Sequence, residues 1–191
     1  GVATFTGCKV DLVGTGYTLT VTAPGLTGTV TSAFAVATGP AAIAIFDTSP
    51  GGGTGGTAWA TQPVVRLLDA GGNPTTATTT VTLSIAAGTG TAGAALSCTG
   101  GLAKAAVAGV ATFAGCAIDR AGTGYQVRAT GSGLVAATST TFAVAVGPPA
   151  KVLFATPPSG GTAGAAWATQ PVVAVADAGG NTVPGATDPV T

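Results

Sequence analysis

Polar and apolar residues alternate one for one along Thr80, Val81, Thr82, Leu83, Ser84 and Ile85. Period two is the signature of a half-buried strand, so Val81, Leu83 and Ile85 are expected on one inner face. Other short alternating or apolar runs, separated by clusters of Gly, Pro, Asn, Asp and Thr, predict strands at 42–46, 63–68, 79–85, 94–98, 109–113, 125–130 and 140–144. Short strands at this spacing, punctuated by turn residues, predict an all-β sandwich of two packed sheets.

The pattern repeats. "GVATFTGC" at 1–8 returns as "GVATFAGC" at 109–116, "GTGY" at 14–17 returns at 122–125, "AWATQPVV" at 58–65 returns at 166–173, and "DAGGN" at 69–73 returns at 177–181. All four pairs share an offset of 108 residues, which marks a tandem repeat of one domain. Gly-Pro punctuates elements, and Pro cannot sit in a central strand. The boundaries therefore fall at "TGPAA" (38–42) and "VGPPA" (146–150). Residues 1–38 then form the C-terminal part of one unit, 39–146 a complete unit, and 147–191 the N-terminal part of a third.

Composition narrows the class. With 32 Gly and 12 Pro, helix is disfavoured almost throughout, since these residues cost about 1 and 3 kcal/mol in a helix interior. Charged residues make up only 6% of the chain, and six acids balance six bases. The bases, Lys9, Arg66, Lys104, Arg120, Arg128 and Lys151, stand singly, which argues against nucleic acid as a partner. Ala and Val are abundant, but Thr, Gly and Ser interrupt them well before the roughly 20 apolar residues a spanning helix needs; no membrane insertion is expected.

The chain contains neither His nor Glu. General acid–base work would fall to six Asp residues in apparent turns, and no base stands ready to activate a Ser or Thr, so no enzyme, cofactor or metal site is expected. In "DAGGN", Asp69 with Asn73, and Asp177 with Asn181, offer far fewer oxygens than the 6 to 8 that calcium takes; a tight turn fits better, with Gly supplying positive φ. Asp11 precedes Tyr17, and Asp119 precedes Tyr125, by six residues across a Gly-rich turn. That arrangement predicts a tyrosine corner, in which the hydroxyl bonds backbone at a sheet edge. Trp59 and Trp167, each just before "QPVV", read as core or interdomain packing. A sugar-stacking platform would want carboxylates or amides nearby, and only Gln62 and Gln170 are close in sequence.

Cys98 and Cys116 lie on or beside consecutive predicted strands and are expected to pair, as suits an extracellular chain. Cys8 is the repeat counterpart of Cys116, so its partner is expected in a preceding repeat outside the chain. Residues 1–38 and 147–191 together lack any counterpart of 84–108, so strand exchange between molecules cannot complete a unit. The expectation is a stretch of a longer polypeptide whose neighbouring repeats supply the missing strands.

The blocks "AWATQPVVRLLDAGGNPTTATTTVTLSI", "GAALSC", "GVATFAGCAIDRAGTGYQVRATGSGL" and "TTFAVAVGPPAKVLF" together resemble the bacterial immunoglobulin-like repeats that occur in tandem in very large secreted and surface proteins. The resemblance covers the whole chain. It implies an immunoglobulin-like sandwich strung into stalks, adhesins or extracellular fibres, located outside the cell or on its surface. Its partners would be neighbouring repeats and other copies of itself, and its many Thr offer sites for O-glycosylation. The chain departs from antibody-type domains in placing its cysteines on neighbouring strands. A second reading, from a different class, is a ligand-binding adhesin module that recognises glycan or host protein through its loops.

Overall fold

The computed structural model describes residues 1–191 and contains strands and turns but no helix. Four strands occupy the first segment: β1 (Gly14–Tyr17), β2 (Thr20–Ala23), β3 (Leu26–Val30) and β4 (Phe34–Val36). Residues 39–146 carry β5 (Ile43–Thr48), β6 (Val64–Leu68), β7 (Thr80–Ile85), β8 (Leu96–Ser97), β9 (Ala103–Ala105), β10 (Val110–Thr112), β11 (Ala117–Ile118), β12 (Gly122–Tyr125), β13 (Val127–Thr130), β14 (Ala137–Thr138) and β15 (Phe142–Val144). The last segment contributes β16 (Lys151–Thr156) and β17 (Val172–Ala176).

Every ladder between strands is antiparallel, and the sheets are small. In the middle segment a three-stranded sheet, β10-β6-β5, and a four-stranded sheet, β14-β13-β7-β9, supply most of the core, beside the pairs β11-β8 and β12-β15. Their inner faces follow from the alternation. Val65 and Leu67 on β6, Val81 and Leu83 on β7, and Val127 and Ala129 on β13 are buried, and all belong to one cluster with Phe113, Ile118 and Tyr125. Removing each large side chain from water stabilises the fold by about 1.5–3 kcal/mol. The result is an all-β structure whose small sheets share one core, consistent with a β-sandwich.

The structure refines the predicted strands. Instead of seven, residues 39–146 form eleven. The run expected at 125–130 breaks at Gln126, so Tyr125 closes β12 rather than heading a strand. The break accompanies a register shift between Gly122 and Tyr125, with Gly124 at φ 73°, a conformation open chiefly to glycine.

The flanking segments leave apolar surface open. Phe5 is 73% exposed, whereas Phe113, 108 residues on, is 1% exposed. Trp167 is half exposed, whereas Trp59 is buried against the edge of Phe142.

Candidate functional site

The most constructed polar feature of the molecule lies where one segment meets the next. At its centre is the "DAGGN" turn. Asp177 and Asn181 close it by backbone bonds, Asp177 N–H donating to Asn181 O at 2.9 Å and Gly180 N–H to Asp177 O at 3.1 Å. Gly180 adopts φ 94°, so glycine is required at that corner. The turn at 69–73 has the same build, with Asp69 N–H donating to Asn73 O at 2.9 Å and Gly72 at φ 87°.

Each acid of the turn holds the linker that precedes its own segment. Asp177 Oδ2 accepts the Gly147 N–H at 2.9 Å, and Asp69 Oδ2 accepts the Gly39 N–H at 2.9 Å. Both glycines belong to the Gly-Pro links. Asp177 is fully buried. Burial acts to raise its pKa, but the backbone N–H groups of Gly147 and Asn181 and the Asn181 amide outweigh it and hold the carboxyl below its ordinary value. Asp69 is lowered as well, first by the Gly39 N–H and then by that of Asn73. Donors aimed at the ionised form are the physical cause.

Each asparagine reaches backwards across the boundary. Asn181 Nδ2 donates to Asp119 O at 2.7 Å, and its Oδ1 accepts the Ala121 N–H at 2.8 Å. Asn73 Nδ2 donates to Asp11 O at 2.7 Å, and its Oδ1 accepts the Val13 N–H at 3.0 Å. The primary amide thus pairs with the backbone on both sides of one residue, as a strand neighbour would. Acid and amide together form a strap, one end on the linker and the other on the preceding segment.

The receiving loop is itself held in place. Tyr125 Oη donates to Arg120 O at 2.8 Å, Thr91 Oγ1 donates to Ala121 O at 2.8 Å, and Asp119 Oδ1 accepts the Ala95 N–H at 2.7 Å. In the first segment Tyr17 Oη donates to Leu12 O at 3.0 Å. The tyrosines therefore fix the loop whose neighbouring backbone groups face the asparagine. Asp11 and Asp119 serve the contact through their main-chain carbonyls. Their side chains differ, because the Asp11 carboxylate lies on the surface 3.2 Å from Lys9 Nζ.

Backbone packing completes the second contact. Gly179 N–H donates to Gly55 O at 3.0 Å, where its counterpart Gly71 N–H turns inward to Asp69 Oδ1 at 2.9 Å. A Cβ on Gly179 would overlap Asp119 O, and one on Gly71 would overlap Asp11 O.

The remaining predicted residues lie elsewhere. Cys98 and Cys116 form a disulfide, and Cys8 is free and exposed. The bridge suits an oxidising environment. Trp59 sits in the core rather than in a cleft, and the neighbouring Gln62 is fully engaged: its Nε2 donates to Trp59 O at 2.7 Å and its Oε1 accepts the Cys116 N–H at 2.7 Å. The buried Trp59 indole N–H has no hydrogen-bond partner. Gly55 and Thr91 lie outside the motifs that the sequence singles out, whereas Gly39 and Gly147 belong to the Gly-Pro links read as boundaries and not as hydrogen-bond partners of the turn. The recurrence of "DAGGN" and "GTGY" at one offset was the only sequence signal that pointed to a shared contact.

No helix is long and apolar enough to cross a membrane. No protein-family model matches the chain, and no curated protein matches it.

Proposed function

We propose that the chain is a stretch of tandem immunoglobulin-like repeats, 108 residues in period, that serves as a structural module of a bacterial extracellular filament, stalk or giant surface adhesin. Residues 1–38, 39–146 and 147–191 are the back of one repeat, a whole repeat and the front of the next. Each repeat docks end to end on its neighbour, and the role is mechanical, with no catalytic step. The partners are adjacent repeats and other copies of the protein.

One observation carries this reading: the Asp–Asn strap is built twice, at 69–73 and at 177–181, on the same backbone groups of the loop before it. A flexible string of domains has no need to satisfy linker N–H and loop carbonyl together. A rod does, because fixing the linker and the neighbouring loop at once removes the hinge. The exposed Phe5, Phe154 and Trp167 fit a polypeptide in which further repeats cover those faces.

Trp59, buried with its neighbouring amide committed to backbone, counts against the alternative of a loop-based glycan binder, whereas its counterpart Trp167 is half exposed and does not. Small-angle scattering of the chain in solution tests the proposal. Docked repeats give a profile that one rigid arrangement fits at all salt concentrations, whereas a profile that requires an ensemble of bent forms refutes the rod.

A further inference from the structure

Residues 50–59 and 158–167 are counterparts that differ at three positions, and one of these, Gly55 against Ala163, lies in the contact between segments. Gly55 is buried. Its N–H donates to Ala145 O at 2.9 Å, and its carbonyl accepts the Gly179 N–H. A Cβ at Gly55 would overlap Asn181 Nδ2 and stand 2.6 Å from Asp119 O and 2.7 Å from Asp177 Oδ2. These three atoms are bonded to one another, since Asn181 Nδ2 donates to both oxygens. A methyl group there cannot be accommodated by turning a flexible side chain; the strap has to leave.

We propose that this position determines which joint a repeat forms with its successor. Glycine, as at 55, admits the Asp–Asn strap of the following repeat and gives a closed joint. Alanine, as at 163, refuses it, so the repeat that begins at Gly147 forms an open, bending joint with a following repeat of the same kind. Stiff and bending joints are then written into the polymer by one methyl group per repeat. The inference rests on the end-to-end docking proposed above.

The test places alanine at the closed joint. In the chain, the Asn181 side-chain amide and the Gly179 N–H are followed by NMR hydrogen exchange, with the Asn73 amide of the other joint as an internal reference. In Gly55→Ala both probes should exchange roughly tenfold faster or more, as expected when a local contact opens without global unfolding, while Asn73 is unchanged. Gly179→Ala, whose Cβ approaches the same contact from the other side without altering residues 39–146, should open it too. Gly51→Ala, which meets nothing within 4 Å, should leave all probes unchanged. Unaltered protection of Asn181 in Gly55→Ala overturns the role of position 55 while leaving end-to-end docking intact. A wild-type Asn181 amide that exchanges as freely as an exposed one overturns the docking itself, and this inference with it.

Discussion

Asn181 Nδ2 meets the carbonyl of Asp119 at 2.7 Å across 62 residues of chain, and Asn73 meets that of Asp11 at the same distance and separation. In both places the amide oxygen also accepts a backbone N–H two residues further along the same loop. An amide is suited to this because it donates and accepts in one plane. Asn181→Ala removes both bonds and leaves Asp119 O and Ala121 N without them, at a cost of about 1–3 kcal/mol to the contact. The melting temperature of residues 39–146 should be nearly unchanged, while the scattering profile shifts to that of a bending chain.

Tyr125 acts one step further back. Its ring is fully buried and stacked beside Phe142, with centroids 6.0 Å apart, and its hydroxyl holds the receiving loop. Tyr125→Phe keeps the packing and deletes the bond, so a denaturant titration should show a loss of about 1 kcal/mol. Faster exchange of the Asn181 amide should accompany it. Tyr17→Phe, whose ring is only partly covered, should cost less.

The disulfide closes a loop of sequence separation 18. Loop-closure entropy assigns such a bridge about 3 kcal/mol. Replacing both cysteines by alanine should lower stability by that order in thermal unfolding, and reduction of the wild type should reproduce the effect. The joint should survive, because neither cysteine bonds to 177–181.

Acid should open the joints. A carboxyl whose pKa is lower in the folded state contributes stability that is complete above the unfolded value and lost as pH falls through the folded one. Asp69 and Asp177 are both lowered from 3.8, so the contact should be insensitive to pH at neutrality and weaken as pH falls below 3.8. Scattering recorded as a function of pH checks this. Asp177→Asn should remove most of the acid step at the second joint, since an amide there does not titrate.

Much of the fold was legible because its main strands alternate. β6 and β7 carry Val65, Leu67, Val81 and Leu83 inward on a clean period of two, and both were expected within a residue or so of their observed limits. β9, β11 and β14 are two or three residues long and rich in Ala, too short and too small to carry a pattern. They form where neighbouring strands offer free backbone groups, which is a tertiary cause.

The contact between segments was half legible. "DAGGN" reads as a turn from its own chemistry, and it is one. That the Asn73 and Asn181 amides, while bonded to the acid of their own turn, also reach into another loop is invisible to local reasoning, because a turn residue's outside partner depends on what the fold brings past it. Asp11 and Asp119 stand out in the sequence as part of a tyrosine corner, six residues ahead of Tyr17 and Tyr125, yet they meet the asparagines through carbonyls that every residue type possesses. Gly55 stood among so many glycines that its contact with Asn181 emerged only from the packing.

The most direct test of end-to-end docking is a set of backbone residual dipolar couplings from β5, β6, β7 and β13 on one side and β16 and β17 on the other, measured in one weakly aligned sample. Docked repeats predict that a single alignment tensor fits both groups of strands. Two tensors of different magnitude or orientation would mean that the segments reorient independently, and the account of a strapped rod would be wrong.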